Sequence, residues 1–178
     1  MIGSLSNVTY TIYNPAIEAK AIYSSQKEAL NLTEESLVES IMSTTNQNWV
    51  NYNQYGGDAR KKRPEFFEHI KSMNKDANFS LLEAKLSFIF GGKKYALIKY
   101  KLNSEKYPDR QIGGCYMLVY DNNRWYKTDE LKDYWNLLFI MLEFKAEALK
   151  NILTNNNSRS SYEKSFRDKI LIRNSEMV

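Results

Sequence analysis

Few residues in this chain are equipped for chemistry. His69 is the only histidine and Cys115 the only cysteine. An imidazole serves as a general base near neutral pH, and a thiolate beside one is a nucleophile. The pattern around each argues for a plainer role. His69 precedes Ile70 on a helical stripe and reads as a surface neighbour of a core face. Cys115 falls mid-strand, where a small buried thiol is the usual occupant. One imidazole and one thiol cannot close a tetrahedral metal site, so no metal and no cofactor are expected. Glu34, Glu35 and Glu39 read as a solvated helix face. Arg60, Lys61, Lys62 and Arg63 form the strongest charge cluster, close to Tyr52, Tyr55 and Phe66. Such a set can grip phosphates and stack on bases. Asp58, Glu65 and Glu68 dilute it, and a solvated loop before a helix is the preferred reading, so no nucleic-acid partner is expected. The glycine pairs at 56–57, 91–92 and 113–114 lack the spacing of a phosphate cradle.

The aromatic residues carry more weight. The chain holds 13 Tyr, 8 Phe and 3 Trp, and a tyrosine ring buries while its hydroxyl still needs a partner. Trp49, Tyr52, Tyr100, Tyr116 and Trp125 are the candidate lining of a pocket for a small apolar ligand. The competing reading makes them core filler between sheet and helices.

These residues depend on the elements that hold them. Val8 to Tyr13 alternates like a strand and stops before Pro15. Ala16 to Leu30 is expected to be a helix, with Ile17, Ala21 and Ile22 at helical spacing. Thr33 is the expected N-cap of a second helix of about five turns ending near Tyr52. Its apolar stripe is Leu37, Ile41 and Trp49. Pro64 suits the first turn of a third helix, with Phe66, Phe67, Ile70 and Met73 on its buried side. Four strands follow, roughly Phe79–Phe90, Tyr95–Leu102, Ile112–Asp121 and Arg124–Thr128. In the first of them Leu82, Ala84, Leu86, Phe88 and Phe90 fall on one face, expected inward, and Glu83, Lys85 and Ser87 on the other, expected toward water. Gly91-Gly92 and Asn122-Asn123 mark the hairpin turns.

Thr128 caps an expected long C-terminal helix over 129–153. Between Tyr134 and Phe144 only Asn136 and Glu143 are polar. That stretch is short of the ~20 apolar residues a bilayer crossing needs, so no membrane span is expected. A helix apolar nearly all round must be covered on several sides. Trp135, Leu138, Phe139 and Leu142 are therefore the candidate interface for a second copy or another protein. Residues 154–178 read as a polar linker and short tail, leaving 1–153 as one domain. Net charge is +4, from 25 basic and 21 acidic residues, a mild excess that names no partner. The start MIGSLSNVTY lacks the basic and apolar regions of a signal peptide. A cytosolic location is expected as written, the alternative being export with an upstream leader removed. The sequons at Asn7, Asn31, Asn78 and Asn156 are ascribed to the abundance of asparagine.

The order of helices, then an antiparallel meander with a turn-then-Trp hairpin (Asp121 to Trp125), resembles the NTF2-like or cystatin-like superfamily over roughly residues 16–128. The resemblance implies an α+β fold in which N-terminal helices pack within a curved antiparallel sheet as a cone with a cavity. A long helix after the sheet departs from that pattern. The leading expectation is a non-enzymatic binding or interaction domain that self-associates through the 129–153 helix. One alternative is an isomerase or dehydratase acting in the cone, which needs a buried carboxylate or histidine facing a tyrosine. The other is an immunity-type protein that neutralises a partner.

Overall fold

The computed structural model describes residues 6–57, 61–110 and 112–131, together with Leu138 and Met141. In chain order these form β1 (Ser6–Lys20), α1 (Glu34–Ser43), α2 (Gln47–Asn53), a 3₁₀ turn (Tyr55–Gly57), α3 (Pro64–Ser72), β2 (Phe79–Phe90), β3 (Lys93–Asn103), β4 (Ile112–Asp121) and β5 (Arg124–Lys127). The strands make one antiparallel sheet in the order β1-β2-β3-β4-β5. The fold is α+β, and strands dominate it.

This arrangement overturns the expected fold of leading helices enclosed by a sheet as an NTF2-like cone. Among the described residues the first element is a long strand, and three short α-helices lie between β1 and β2. Apart from residues 129–131, Leu138 and Met141, the expected C-terminal helix and the 154–178 tail lie outside the described residues. Leu138 and Met141 are helical, half-buried and fully buried respectively.

The helix expected over Ala16–Leu30 is replaced by the second half of β1 and a loop. Pro15, which has no N–H to donate, sits in an irregularity of this edge strand between Ile12 and Ile17, and pairing with β2 then resumes as far as Lys20. Cross-strand pairing and the burial of Ala19 outweigh the helix preference of these residues. The expected five-turn helix is two helices. Thr33 caps α1 as anticipated, accepting from the Ser36 amide at 3.1 Å. At Thr44 the backbone leaves the helical region (φ −58°, ψ 124°). Asn46 then starts α2 by accepting from the Trp49 amide at 3.0 Å. Asn and Thr side chains compete with helical hydrogen bonding, which explains a break at this point.

The four later strands match their expected spans, and so do the two turns. Gly91 and Gly92 hold φ of 56° and 77°, Asn122 and Asn123 φ of 46° and 62°. One feature of the sheet departs from simple alternation. The pairing shifts by one residue between Leu82 and Ala84, so Glu83 is an extra residue in β2. Leu82 lies opposite Tyr100, whereas Lys85 lies opposite Ile98 and Ser87 opposite Ala96. Leu82, Lys85 and Ser87 therefore share the face that carries Ala96, Ile98 and Tyr100. Ala84, Leu86 and Phe88 turn to the other face, with Leu97, Tyr95 and Val119.

Both faces are buried. On the first, Leu37 and Val38 of α1 pack with Ala19, Leu82, Ala96, Ile98, Tyr116, Leu118 and Trp125 as one core cluster. On the second, Ala84, Leu86, Phe88, Tyr95, Leu97 and Val119 are each at most 5% exposed. The assignment of Lys85 and Ser87 to a watery face is thus corrected: the bulge puts them on the helix side. The segment after β5 turns toward the second face. The Thr128 amide donates to the Met117 carbonyl at 2.9 Å. The Glu130 carboxylate accepts from the Tyr95 hydroxyl at 2.7 Å and from Lys93 at 3.0 Å.

Candidate functional site

Where the three short helices meet the end of the sheet, they leave a cavity of about 350 Å³. Its walls are Ile41 and Met42 of α1, Val50 of α2, Phe66 and Ile70 of α3, and Met73 just after it. The residues expected on the buried side of α3 explain the cavity. Phe67 alone is buried in the core, Ile70 and Met73 are half-buried, and Phe66 is 42% exposed. Their free surfaces are the walls. Methionine side chains adapt to irregular guests, which suits a binding surface.

A buried polar network makes the cavity's inner edge. Asn53, 3% exposed, accepts at Oδ1 from the Ser40 hydroxyl (2.8 Å) and from the Asn31 amide nitrogen (3.0 Å), and its own Nδ2 donates to Thr44 Oγ1 (3.3 Å). The Trp49 indole donates to Ser40 Oγ at 2.9 Å. The Asn31 carbonyl accepts from the Trp125 amide at 2.8 Å, tying the network to β5. These bonds fix α1 against α2, and so set the distance between the cavity walls. Asn31 and Asn78 are 1% and 7% exposed, a burial that leaves neither sequon open to a glycan in the folded chain.

The mouth of the cavity is basic. Lys62, Lys75 and Lys127 line it, all three exposed, and no Asp, Glu or His occurs among the described lining residues.

The five aromatic candidates are placed as follows. Trp49, Tyr116 and Trp125 are buried, and Tyr100 packs half-buried against the core. Tyr100 and Tyr116 stack at 4.2 Å between ring centres, and the Tyr116 hydroxyl bonds Ser80 Oγ at 2.8 Å. The stack needs Gly114: a Cβ there would lie 2.5 Å from the Tyr100 ring. Tyr52 lines a second, open cleft of about 580 Å³ with Tyr55, Arg124 and Tyr126. The Arg124 guanidinium lies 3.6 Å from the centre of the Tyr52 ring and 4.3 Å from that of Tyr126, and also donates to the Tyr52 carbonyl. Lys93 lies over Tyr55 at 4.8 Å. The Tyr52 hydroxyl donates to the Ala29 carbonyl at 2.8 Å. Arg124 is thus held between two tyrosine rings of this cleft, its Nε buried and without a hydrogen-bond partner among the described residues. Of the interface candidates, Trp135, Phe139 and Leu142 lie outside the described residues.

The half-buried charges were not legible as a cluster. The Tyr13 hydroxyl donates to Glu35, and Lys85 reaches Glu35 at 3.0 Å and Glu34 at 3.5 Å. The Lys85, Glu34 and Glu35 side chains are 19%, 12% and 23% exposed, so the first turn of α1 is docked on the sheet and not solvated. Burial alone would raise the Glu35 carboxyl, but the bonds from Tyr13 and Lys85 outweigh it and hold the group below its ordinary range. Burial and the Glu35 bond push the Tyr13 hydroxyl well above its own. Glu39 is raised by burial first, with Glu35 adding to it. Burial pushes the Cys115 thiol up to about 12, with Lys99 opposing. That is the reverse of an activated nucleophile. His69 is exposed on α3.

Fold and cavity together define an α+β domain with a two-sided antiparallel sheet and an apolar, basic-rimmed cavity under its short helices. Comparison with protein-family models, with curated proteins and with solved structures found no match. No helix among the described residues is long and apolar enough to cross a membrane, and no group of three or more His, Cys, Asp or Glu among them is placed to hold a metal ion.

Proposed function

We propose that this protein is a non-enzymatic binding module that holds a small apolar molecule in the cavity between α1, α2 and α3. One observation carries this reading: a preformed space of about 350 Å³ walled by aliphatic, methionine and phenylalanine side chains, within the ~300–1,000 Å³ range of small-molecule sites. The lack of any Asp, Glu or His in the described lining supports binding over acid–base catalysis there. The test is titration with N-phenyl-1-naphthylamine, a neutral probe that fluoresces in apolar surroundings. Saturable enhancement in the native chain is expected, and its loss in a folded Val50→Trp variant, whose indole fills the space. Enhancement unaffected by Val50→Trp would remove the cavity from the account.

A second reading, docking of a protein partner, is favoured by a specific surface. Ile22, Leu30 and Leu32 are 58%, 57% and 61% exposed on the loop between β1 and α1. That loop is held firmly, with the Tyr23 amide on Ser43 Oγ at 3.1 Å and Ala29 and Asn31 buried. A fixed loop that displays large apolar side chains suits an interface. A Leu30→Asp, Leu32→Asp variant should lose a partner recovered by the native chain from its host.

A further inference from the structure

We infer that the ligand of this cavity is an amphipathic monoanion, a medium-chain alkyl carboxylate whose tail fills the apolar interior and whose head is met by Lys62, Lys75 and Lys127. The inference rests on the binding reading above and specifies its ligand.

Five lysines elsewhere in the fold answer carboxylates. Lys20 pairs with Glu18, Lys71 with Glu68, Lys85 with Glu34 and Glu35, Lys93 with Glu130, and Lys101 with Glu83. The three lysines at the cavity have no carboxylate partner among the described residues, a state they share with Lys27, Lys61, Lys94 and Lys106; what sets them apart is that all three line one apolar opening. They come from three separate parts of the chain, the approach to α3, the turn after it and the end of β5, and all line this opening. Lys62 also lies over the Phe66 ring at 5.1 Å, which places a cation at the edge of an apolar wall.

Three like charges around a low-dielectric opening raise the local concentration of an anion and disfavour a cation. An ammonium is a compact point charge on a flexible stem, so this rim can follow a small carboxylate without demanding the fixed fork that arginine supplies. The interior offers a tail somewhere to go. A purely polar anion would leave the Ile41, Val50, Ile70 and Met73 surfaces unused. A neutral apolar guest would fill the interior but gain nothing from the three lysines at the opening.

The experiment displaces bound N-phenyl-1-naphthylamine from the full chain with decanoate, decanol and decyltrimethylammonium. These share a tail and differ in head charge. Decanoate should displace the probe at about tenfold lower concentration than decanol, with the cation weakest, as expected for a modestly screened charge interaction. Added sodium chloride should weaken decanoate alone. Replacing the three exposed lysines together (Lys62→Gln, Lys75→Gln, Lys127→Gln) should bring decanoate to the level of decanol while leaving decanol and the melting temperature unchanged. Equal displacement by decanoate and decanol from the native chain, with the probe still blocked by Val50→Trp, would overturn the anionic head and keep the cavity. Absence of probe binding would overturn both.

Discussion

Replacing Lys85 by Met tests whether α1 is docked on the sheet by charge. In the native chain Lys85 sits on the helix-side face because Glu83 is an extra residue in β2. There it answers two carboxylates, at 3.0 Å and 3.5 Å, with about four-fifths of its side chain covered. Methionine keeps the stem and removes the charge. Glu34 and Glu35 are then adjacent, half-buried and without a cation. Breaking a fully buried pair costs ~3–5 kcal/mol and an exposed one ~0–1, so this partly covered site should lose about 2–3 kcal/mol at pH 7. The sign with pH follows from Glu35. Its carboxyl is held below its usual value of 4.5, so the stability it contributes is present above that pH and is lost as pH falls through the folded value. Urea denaturation at pH 7 and pH 3 should therefore show a smaller penalty at the lower pH, toward which Glu35 takes up its proton. At the alkaline end Tyr13 works the other way. Its hydroxyl is raised above the usual 10.0, so native stability should decline as pH rises past that value. An equal loss from Lys85→Met at pH 3 and pH 7 would refute the reasoning, because the effect would then be packing.

Gly114→Ala places a Cβ 2.5 Å from the Tyr100 ring, and displacing that ring from Tyr116 should cost ~1–3 kcal/mol in urea unfolding. A paired Tyr100→Leu change should recover most of the loss. Asn53→Leu leaves the Ser40 hydroxyl and the Asn31 amide without their buried acceptor and should destabilise by ~2–4 kcal/mol, read from the same melts. Cys115, with its thiol raised to about 12, should react with a thiol reagent at pH 8 far more slowly in the folded chain than in urea.

What the sequence revealed, and what it hid, divides along local and non-local lines. The Asn122-Asn123 and Gly91-Gly92 turns, the Thr33 cap and Pro64 at the start of α3 are decided by neighbouring residues, and each is where its residue types place it. The second half of β1 was hidden because Ile17, Ala21 and Ile22 satisfy a helical period by accident. Only pairing with β2, some sixty residues on, makes a strand of Ile17 to Lys20, while Ala21 and Ile22 fall in the loop. The break at Thr44–Asn46 had a signal in its Thr-Thr-Asn run, which the continuing apolar stripe to Trp49 obscured. The bulge at Glu83 left no trace, since buried and half-buried residues alternate through it without interruption when both faces are covered. The cavity was legible in part. Phe66, Ile70 and Met73 stood out as an apolar face, but nothing local shows that α3 meets the core mainly through Phe67. Lys62, Lys75 and Lys127 are far apart in sequence and are gathered only by the fold.

The central claim is that the space under the three short helices is a binding site. Methyl NMR spectra of the full chain recorded with and without decanoate test it most directly. The account predicts shifts at Ile41, Met42, Val50, Ile70 and Met73, with the opposite-face residues Leu86, Leu97 and Val119 unmoved. Shifts spread over that opposite face, or none at the methyl groups of those five cavity residues, would contradict it.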